Sequence, residues 1–135
     1  MRLKMIDTIS DKKILAVDDD DLSLFFIQDC LQQAGFCVEV AKSGEEAWNK
    51  LLEKPNQYSV VISDEMMSHM SGTKLMEKIK KEPSLKHLPI IILTQLKAIK
   101  NVLYAVNRGV FEYIIKPADP DELVDLVIDA IESSR

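Results

Sequence analysis

Hydrophobic positions along this chain follow two alternating rhythms. Residues 13–17 (Lys-Ile-Leu-Ala-Val), 36–40, 58–63, 89–94 and 110–115 are short apolar runs of strand length. The run Pro89-Ile-Ile-Ile-Leu-Thr94 shows no alternation, which is how a strand buried on both faces reads. Between the runs, apolar residues recur at helical spacing. Leu24, Ile27, Leu31 and Ala34 line residues 22–34, with Asp20 or Asp21 placed as N-cap and Gly35 as the left-handed residue closing the helix. Ser43-Gly-Glu-Glu46 is a capping box in which Ser43 and Glu46 satisfy each other's orphan amides. The helix it opens runs through Ala47, Trp48, Leu51 and Leu52 to about Lys54 and stops before Pro55. A third helix carries Leu75, Met76 and Ile79 and stops at Pro83; a fourth puts Ile99, Val102, Leu103 and Val106 on one stripe and ends before Gly109. Asp119-Pro-Asp-Glu122 supplies an N-cap, a proline at the first helical position and a capping-box glutamate for the last helix, whose apolar face is Leu123, Leu126, Val127, Ala130 and Ile131. Five strands alternating with five helices predict an α/β fold, a doubly wound five-stranded parallel sheet with right-handed crossovers. A common order for it is 2-1-3-4-5, with the switch point between strands one and three.

Four of the five runs stop at a residue with chemistry to offer. The first meets Asp18-Asp-Asp-Asp21, the third delivers Asp64 to a polar loop closed by Gly72, the fourth ends on Thr94 and the fifth on Lys116. In open α/β sheets ligands bind outside the carboxyl ends of the strands, and the order 2-1-3-4-5 brings Asp18, Asp19 and Asp64 together there. Each residue alone has a plainer explanation, Asp64 as a turn former, Asp20 or Asp21 as a cap, Thr94 as a strand terminus and Lys116 as a solvated charge. Their shared position at strand ends is what argues for a site. Clustered carboxylates either share protons or recruit a cation, and oxygen ligands at a sheet edge suit Mg2+. A hydroxyl and a lysine beside them suit a phosphoryl group moving to Asp64.

Composition narrows the class. With 135 residues and 47% hydrophobic content, the chain fits one domain with one real core, expected over residues 12–133 after an 11-residue N-terminal leader. A net charge of -5 argues against a direct nucleic-acid surface, and the lysines from Lys74 to Lys86 are interrupted by Glu77 and Glu82. No apolar run approaches the ~18 residues that span a bilayer, and the leader is too short and too interrupted by Asp7 for a signal peptide. Cys30 and Cys37 are read as free buried thiols of a reducing compartment, which makes the cytoplasm the expected setting. Neither G-x-x-x-x-G-K-[ST] nor G-x-G-x-x-G is present, so a nucleotide-binding loop is excluded.

Val17-Asp18-Asp19-Asp20, Asp64-Glu-Met-Met-Ser-His-Met-Ser-Gly72, Leu93-Thr94 and Tyr113-Ile-Ile-Lys116-Pro117 together resemble the motifs of the response-regulator receiver domain of two-component signalling, a flavodoxin-like fold. The resemblance implies that Asp64 is the phosphoacceptor and that Asp18, Asp19 and Asp64 hold Mg2+, with the Met66 backbone carbonyl completing the protein ligands. It implies that Thr94 and Lys116 hold the phosphoryl group, that Tyr113 is the aromatic switch and that the Lys116-Pro117 bond is cis. Such a chain is not an enzyme beyond its own phosphorylation and autodephosphorylation. Its expected partners are a histidine kinase or phosphotransfer protein and a downstream protein bound through the face of helix four, strand five and helix five, with a phosphorylation-dependent dimer as a further state. At least one of Phe25 and Phe26 should leave the apolar stripe of the first helix and offer an aromatic beside the acid loop; the alternative is that both pack inward.

The chain departs from the family pattern at Ser68, where proline is usual, at Asp21, which replaces a frequent proline, and at Gln95, whose bulk after Thr94 would crowd the phosphoryl pocket. Met66 and Leu96 stand two places after the phosphoacceptor and the threonine, where side chains tune the lifetime of the acyl phosphate in the family; neither orients a water. Two other functions compete. One is a degenerate receiver that binds partners without phosphorylation. The other is a haloacid-dehalogenase-like phosphatase, which Asp18-x-Asp20 fits loosely, although Leu22 stands where that family has Thr or Val.

Overall fold

The computed structural model describes residues 13–134; the expected leader, residues 1–11, lies outside the described residues. Five strands, β1 (Lys13–Val17), β2 (Cys37–Ala41), β3 (Tyr58–Ser63), β4 (Ile90–Thr94) and β5 (Glu112–Ile115), form one parallel sheet in the order β2-β1-β3-β4-β5. Five helices connect and follow them: α1 (Asp21–Gln33), α2 (Gly44–Glu53), α3 (Gly72–Lys81), α4 (Ile99–Asn107) and α5 (Pro120–Ser133).

Strand residues point alternately to two faces, and each face carries its own core. Ile14, Ala16, Val60, Ile62, Ile91 and Leu93 meet Leu24, Ile27 and Leu31 of α1 and Leu123, Val127 and Ile131 of α5. Leu15, Val17, Val61, Ile90 and Ile92 meet Leu51 of α2 and Leu75, Met76 and Ile79 of α3. The helix starts follow their caps. Asp20 accepts from the Ser23 amide, Ser43 from Glu46, Ser71 from Lys74 and Asp119 from Glu122, while Gly35 takes φ 99° after α1.

Several expectations need correction. The capping box of α2 is not reciprocal, because Glu46 Oε1 accepts from the Lys42 amide at 2.9 Å instead of that of Ser43. The apolar stripe of α4 faces solvent: Ile99, Leu103 and Val106 are exposed, Val102 is half-buried, and Ala105 is the residue this helix buries. On α5, Ile128 is buried and Leu126 only half-buried. The cysteines are free but not both buried, since Cys30 is half-buried and Cys37, on the edge strand β2, is exposed.

Candidate functional site

The sheet ladder does not stop at the strand ends. The Asp18 amide donates to Ala41 O at 3.1 Å, the Asp64 amide to Val17 O at 2.9 Å and the Lys116 amide to Thr94 O at 2.8 Å. The three residues therefore sit one step beyond their strands with their backbones still fixed by the sheet, and their side chains converge.

Lys116 Nζ pairs with Asp18 Oδ2 at 2.8 Å and Asp64 Oδ2 at 3.3 Å. Its third donor goes to Ser23 Oγ at 2.9 Å. Carboxylate oxygens of Asp18, Asp19 and Asp64 lie within 4.8 Å of one another, Asp18 buried, Asp64 half-buried and Asp19 open to solvent. Asp18 Oδ1 accepts from the Asp20 amide at 2.9 Å, and Asp64 Oδ1 from the amides of Glu65 at 2.6 Å and Met66 at 3.2 Å. These bonds fix both carboxylate rotamers.

The electrostatics favour an added cation. Burial pushes the Asp18 carboxyl above its ordinary value; Lys116 and the Asp20 amide pull it back in part, and the Asp64 charge adds to the rise. For Lys116, burial acts downward, but its hydrogen bonds and charge contacts with Asp18 and Asp64 prevail and hold it above its ordinary 10.5. Three carboxylates against one ammonium leave a deficit that a dication fills. An all-oxygen donor set, open on the Asp19 side, fits Mg2+.

The loop after Asp64 is tied down by residues that sequence reasoning missed. Glu65 Oε1 accepts from the Thr73 amide at 2.7 Å and from its hydroxyl at 2.8 Å, and the Gly72 amide donates to Glu65 O at 3.2 Å. A Cβ on Gly72 would lie 2.3 Å from Asp64 O, so only glycine lets α3 start against that carbonyl. His69 takes φ 70° in a tight turn closed by the Met70 amide on Ser68 O at 2.8 Å. Met66 is exposed and Met67 packs on the α2–α3 core.

Thr94 is fully buried, and its Oγ1 accepts from the Leu96 amide at 3.4 Å. The Tyr113 hydroxyl donates to Leu96 O at 2.7 Å, so one peptide segment links the threonine to the half-buried tyrosine. Gln95 is exposed and lines a cavity of about 270 Å3 with Asp20, Ser23, Phe26 and Lys116. The Lys116-Pro117 bond is cis. Phe25 is 67% exposed while Phe26 packs against the α1–α5 core, so one ring leaves the stripe as expected.

Residues 14–128 match the family model of the response regulator receiver domain. This chain belongs to that family. Among its relatives, the probable transcriptional regulator ycf29 of Porphyra purpurea is 34% identical over 87% of this chain and 56% of its own length. The transcriptional regulatory protein GlrR of Escherichia coli is 36% identical over 90% of this chain and 26% of its own. The chain thus spans about half of one relative and a quarter of the other, and transcriptional regulation is said of those whole proteins. A receiver domain from Clostridium thermocellum has the same fold with a TM-score of 0.84 and 34% identity, over 90% of this chain and 95% of that one. The flavodoxin-like architecture is therefore that of two-component receivers. Among the described residues, no helix is long and apolar enough to cross a membrane.

Proposed function

We propose that this receiver takes a phosphoryl group onto Asp64 from a histidine kinase or a histidine-containing phosphotransfer protein, and that the modified state changes which partner it binds. The observation that carries this reading is the placement of Lys116 between Asp18 and Asp64 beside the open carboxylate of Asp19, all at the carboxyl ends of strands. An Asp64 oxygen attacks phosphorus, the P–N bond to the donor imidazole breaks, and its electron pair stays on that nitrogen, which takes up a proton. Asp18, Asp19 and Asp64, with the Met66 carbonyl, are the groups that would hold Mg2+. Bound there, the ion neutralises phosphoryl and carboxylate charge. Lys116 supplies a second positive charge already aimed at Asp64, and the Glu65 and Met66 amides hold the reacting carboxylate in place.

Thr94 is assigned to follow the phosphoryl group and Tyr113 to report it, and the Leu96 peptide that joins them supports this coupling. The face of α4, β5 and α5 is the proposed output surface, with a phosphorylation-dependent dimer as a further proposed state; the exposed Leu22 and Phe25 of α1 are the proposed docking point for the phosphodonor. Met66 and Leu96 flank the approach to the acyl phosphate and are assigned to slow its hydrolysis, in which water attacks phosphorus and releases Asp64 and inorganic phosphate. The proposed setting is the cytoplasm and the proposed domain extent residues 12–133. The family match gives no support to a haloacid-dehalogenase activity.

The test is incubation with acetyl phosphate and Mg2+ followed by intact mass. One phosphoryl group should appear on the wild type and none on Asp64→Asn. A wild type that takes up no phosphate would leave the phosphorylation-independent binding module as the function.

A further inference from the structure

We infer that Ser23 is a positioning residue for Lys116, holding the ammonium over the acid cluster from the first turn of α1; this rests on the reading of Asp64 as phosphoacceptor. A lysine has three donors and no acceptor. Here they go to Asp18, Asp64 and Ser23, and only Ser23 is neutral. The serine hydroxyl has one proton, and it is committed to Asp20 Oδ2 at 2.9 Å. With that proton placed, a lone pair is left facing Lys116 Nζ. Asp20 is itself fixed as the N-cap of α1, accepting from the Ser23 amide at 3.0 Å. Sheet, helix cap, hydroxyl and ammonium thus form one chain of contacts reaching the site from outside the acid cluster.

The arrangement matters once the carboxylates are occupied. When Asp18 and Asp64 serve a dication or a phosphoryl group, their hold on Lys116 is shared, and Ser23 Oγ is the acceptor that makes no other demand on the site. Without the hydroxyl the ammonium has somewhere else to go. The cavity of about 270 Å3 beside Lys116 is lined by Asp20, Ser23 and Gln95, so a released lysine swings toward the Asp20 carboxylate and away from Asp64. Substituting Ser23 leaves the helix cap intact, because Asp20 also binds the backbone amide, which every residue but proline retains. Threonine keeps the hydroxyl, and Ser23 is half-buried at the edge of that cavity.

Ser23→Ala and Ser23→Thr are compared with the wild type at saturating Mg2+ by two measurements. The first is the rate of phosphorylation by acetyl phosphate, expected to fall about tenfold in Ser23→Ala (~1.4 kcal/mol) and to recover in Ser23→Thr. The second is proton exchange of the Lys116 ammonium, followed by 15N-resolved NMR and assigned by its loss in Lys116→Arg. Exchange should quicken in Ser23→Ala and slow again in Ser23→Thr. Unchanged ammonium exchange in Ser23→Ala, a wild-type phosphorylation rate in that variant, or a Ser23→Thr protein no better than Ser23→Ala would each overturn the proposal. If the wild type accepts no phosphoryl group, the phosphoacceptor reading fails instead, and the exchange measurement still decides whether Ser23 holds the lysine.

Discussion

Magnesium should stabilise this protein, by an amount that the geometry of the acid cluster sets. In the metal-free fold Asp18 is buried and ionises against both desolvation and the Asp64 charge, with one lysine as compensation. The unfolded chain separates these carboxylates and offers no comparable site, so Mg2+ binds the native state almost alone. At a hundred times its dissociation constant such a ligand adds ~2.7 kcal/mol. For 135 residues, an unfolding entropy of ~2.1 cal/mol/K per residue totals ~0.28 kcal/mol/K, so the melting temperature should rise by ~10 °C. The assay is calorimetric melting across a Mg2+ titration at constant ionic strength, which separates site binding from general screening. Asp19→Ala is the control, because Asp19 is exposed and its loss removes a ligand without opening the core. That variant should melt near the wild-type temperature without Mg2+ and respond far less to it. A wild-type midpoint that stays flat to saturation, or an equal rise in Asp19→Ala, would refute the argument that these three carboxylates form a cation site.

Further expectations concern charge, packing, coupling and lifetime. Because Lys116 titrates above 10.5 in the fold, its stabilisation is complete below that value and is lost as pH rises through the folded value; Tyr58 and Tyr113, both pushed up chiefly by burial, lose stability in the same alkaline window. Urea melts of wild type and Lys116→Met should therefore converge at high pH, and parallel curves would show that the pair contributes nothing. Gly72→Ala places a methyl group against Asp64 O; the overpacking cost of ~1–3 kcal/mol exceeds the gain of up to ~1 kcal/mol from better helix propensity, so denaturant midpoints should fall and phosphorylation should slow. Tyr113→Ala removes the hydroxyl bond to Leu96 O, and the ratio of partner affinities with and without phosphorylation, typically ~5- to 150-fold across coupled sites, should drop toward one; an unchanged ratio would sink the proposed switch. Met66→Asn/Leu96→Glu should shorten the acyl phosphate half-life by ~10- to 100-fold through water orientation, and decay at the wild-type rate would remove these residues from control of the signal.

The parts of the fold legible in the sequence are those governed by local rules. β1 and β3 occupy the predicted residues, and Asp20, Ser43 and Asp119 cap their helices because a side-chain acceptor three residues before a free amide needs no tertiary information. Acids and a lysine at strand ends were readable for the same reason, since strand ends are local and sheet order brings them together. One miss is local: β5 starts at Glu112 and not Val110 because the Val110 amide closes α4 on Ala105 O, five residues back. The others depend on partners that local spacing does not supply. Ser23 reaches Lys116 across 93 positions, and Glu65 reaches Thr73 across a loop whose path no spacing rule supplies. The Asp20 cap was the one available hint, since it places the side chain three residues later against the site. Periodicity also showed that α4 has an apolar stripe but could not say what lies opposite it.

That stripe bears on how such a domain diverges. Because α4 buries only Ala105 while Ile99, Leu103, Tyr104 and Val106 stay exposed, exchanging its outward residues removes little packing from the core. The acid and lysine cluster is bound into the sheet through the amides of Asp18, Asp64 and Lys116, so drift in α4 leaves its placement untouched. Duplicated copies of this gene are therefore free to change the apolar surface of a single short helix while the strand-end acids and lysine keep their arrangement.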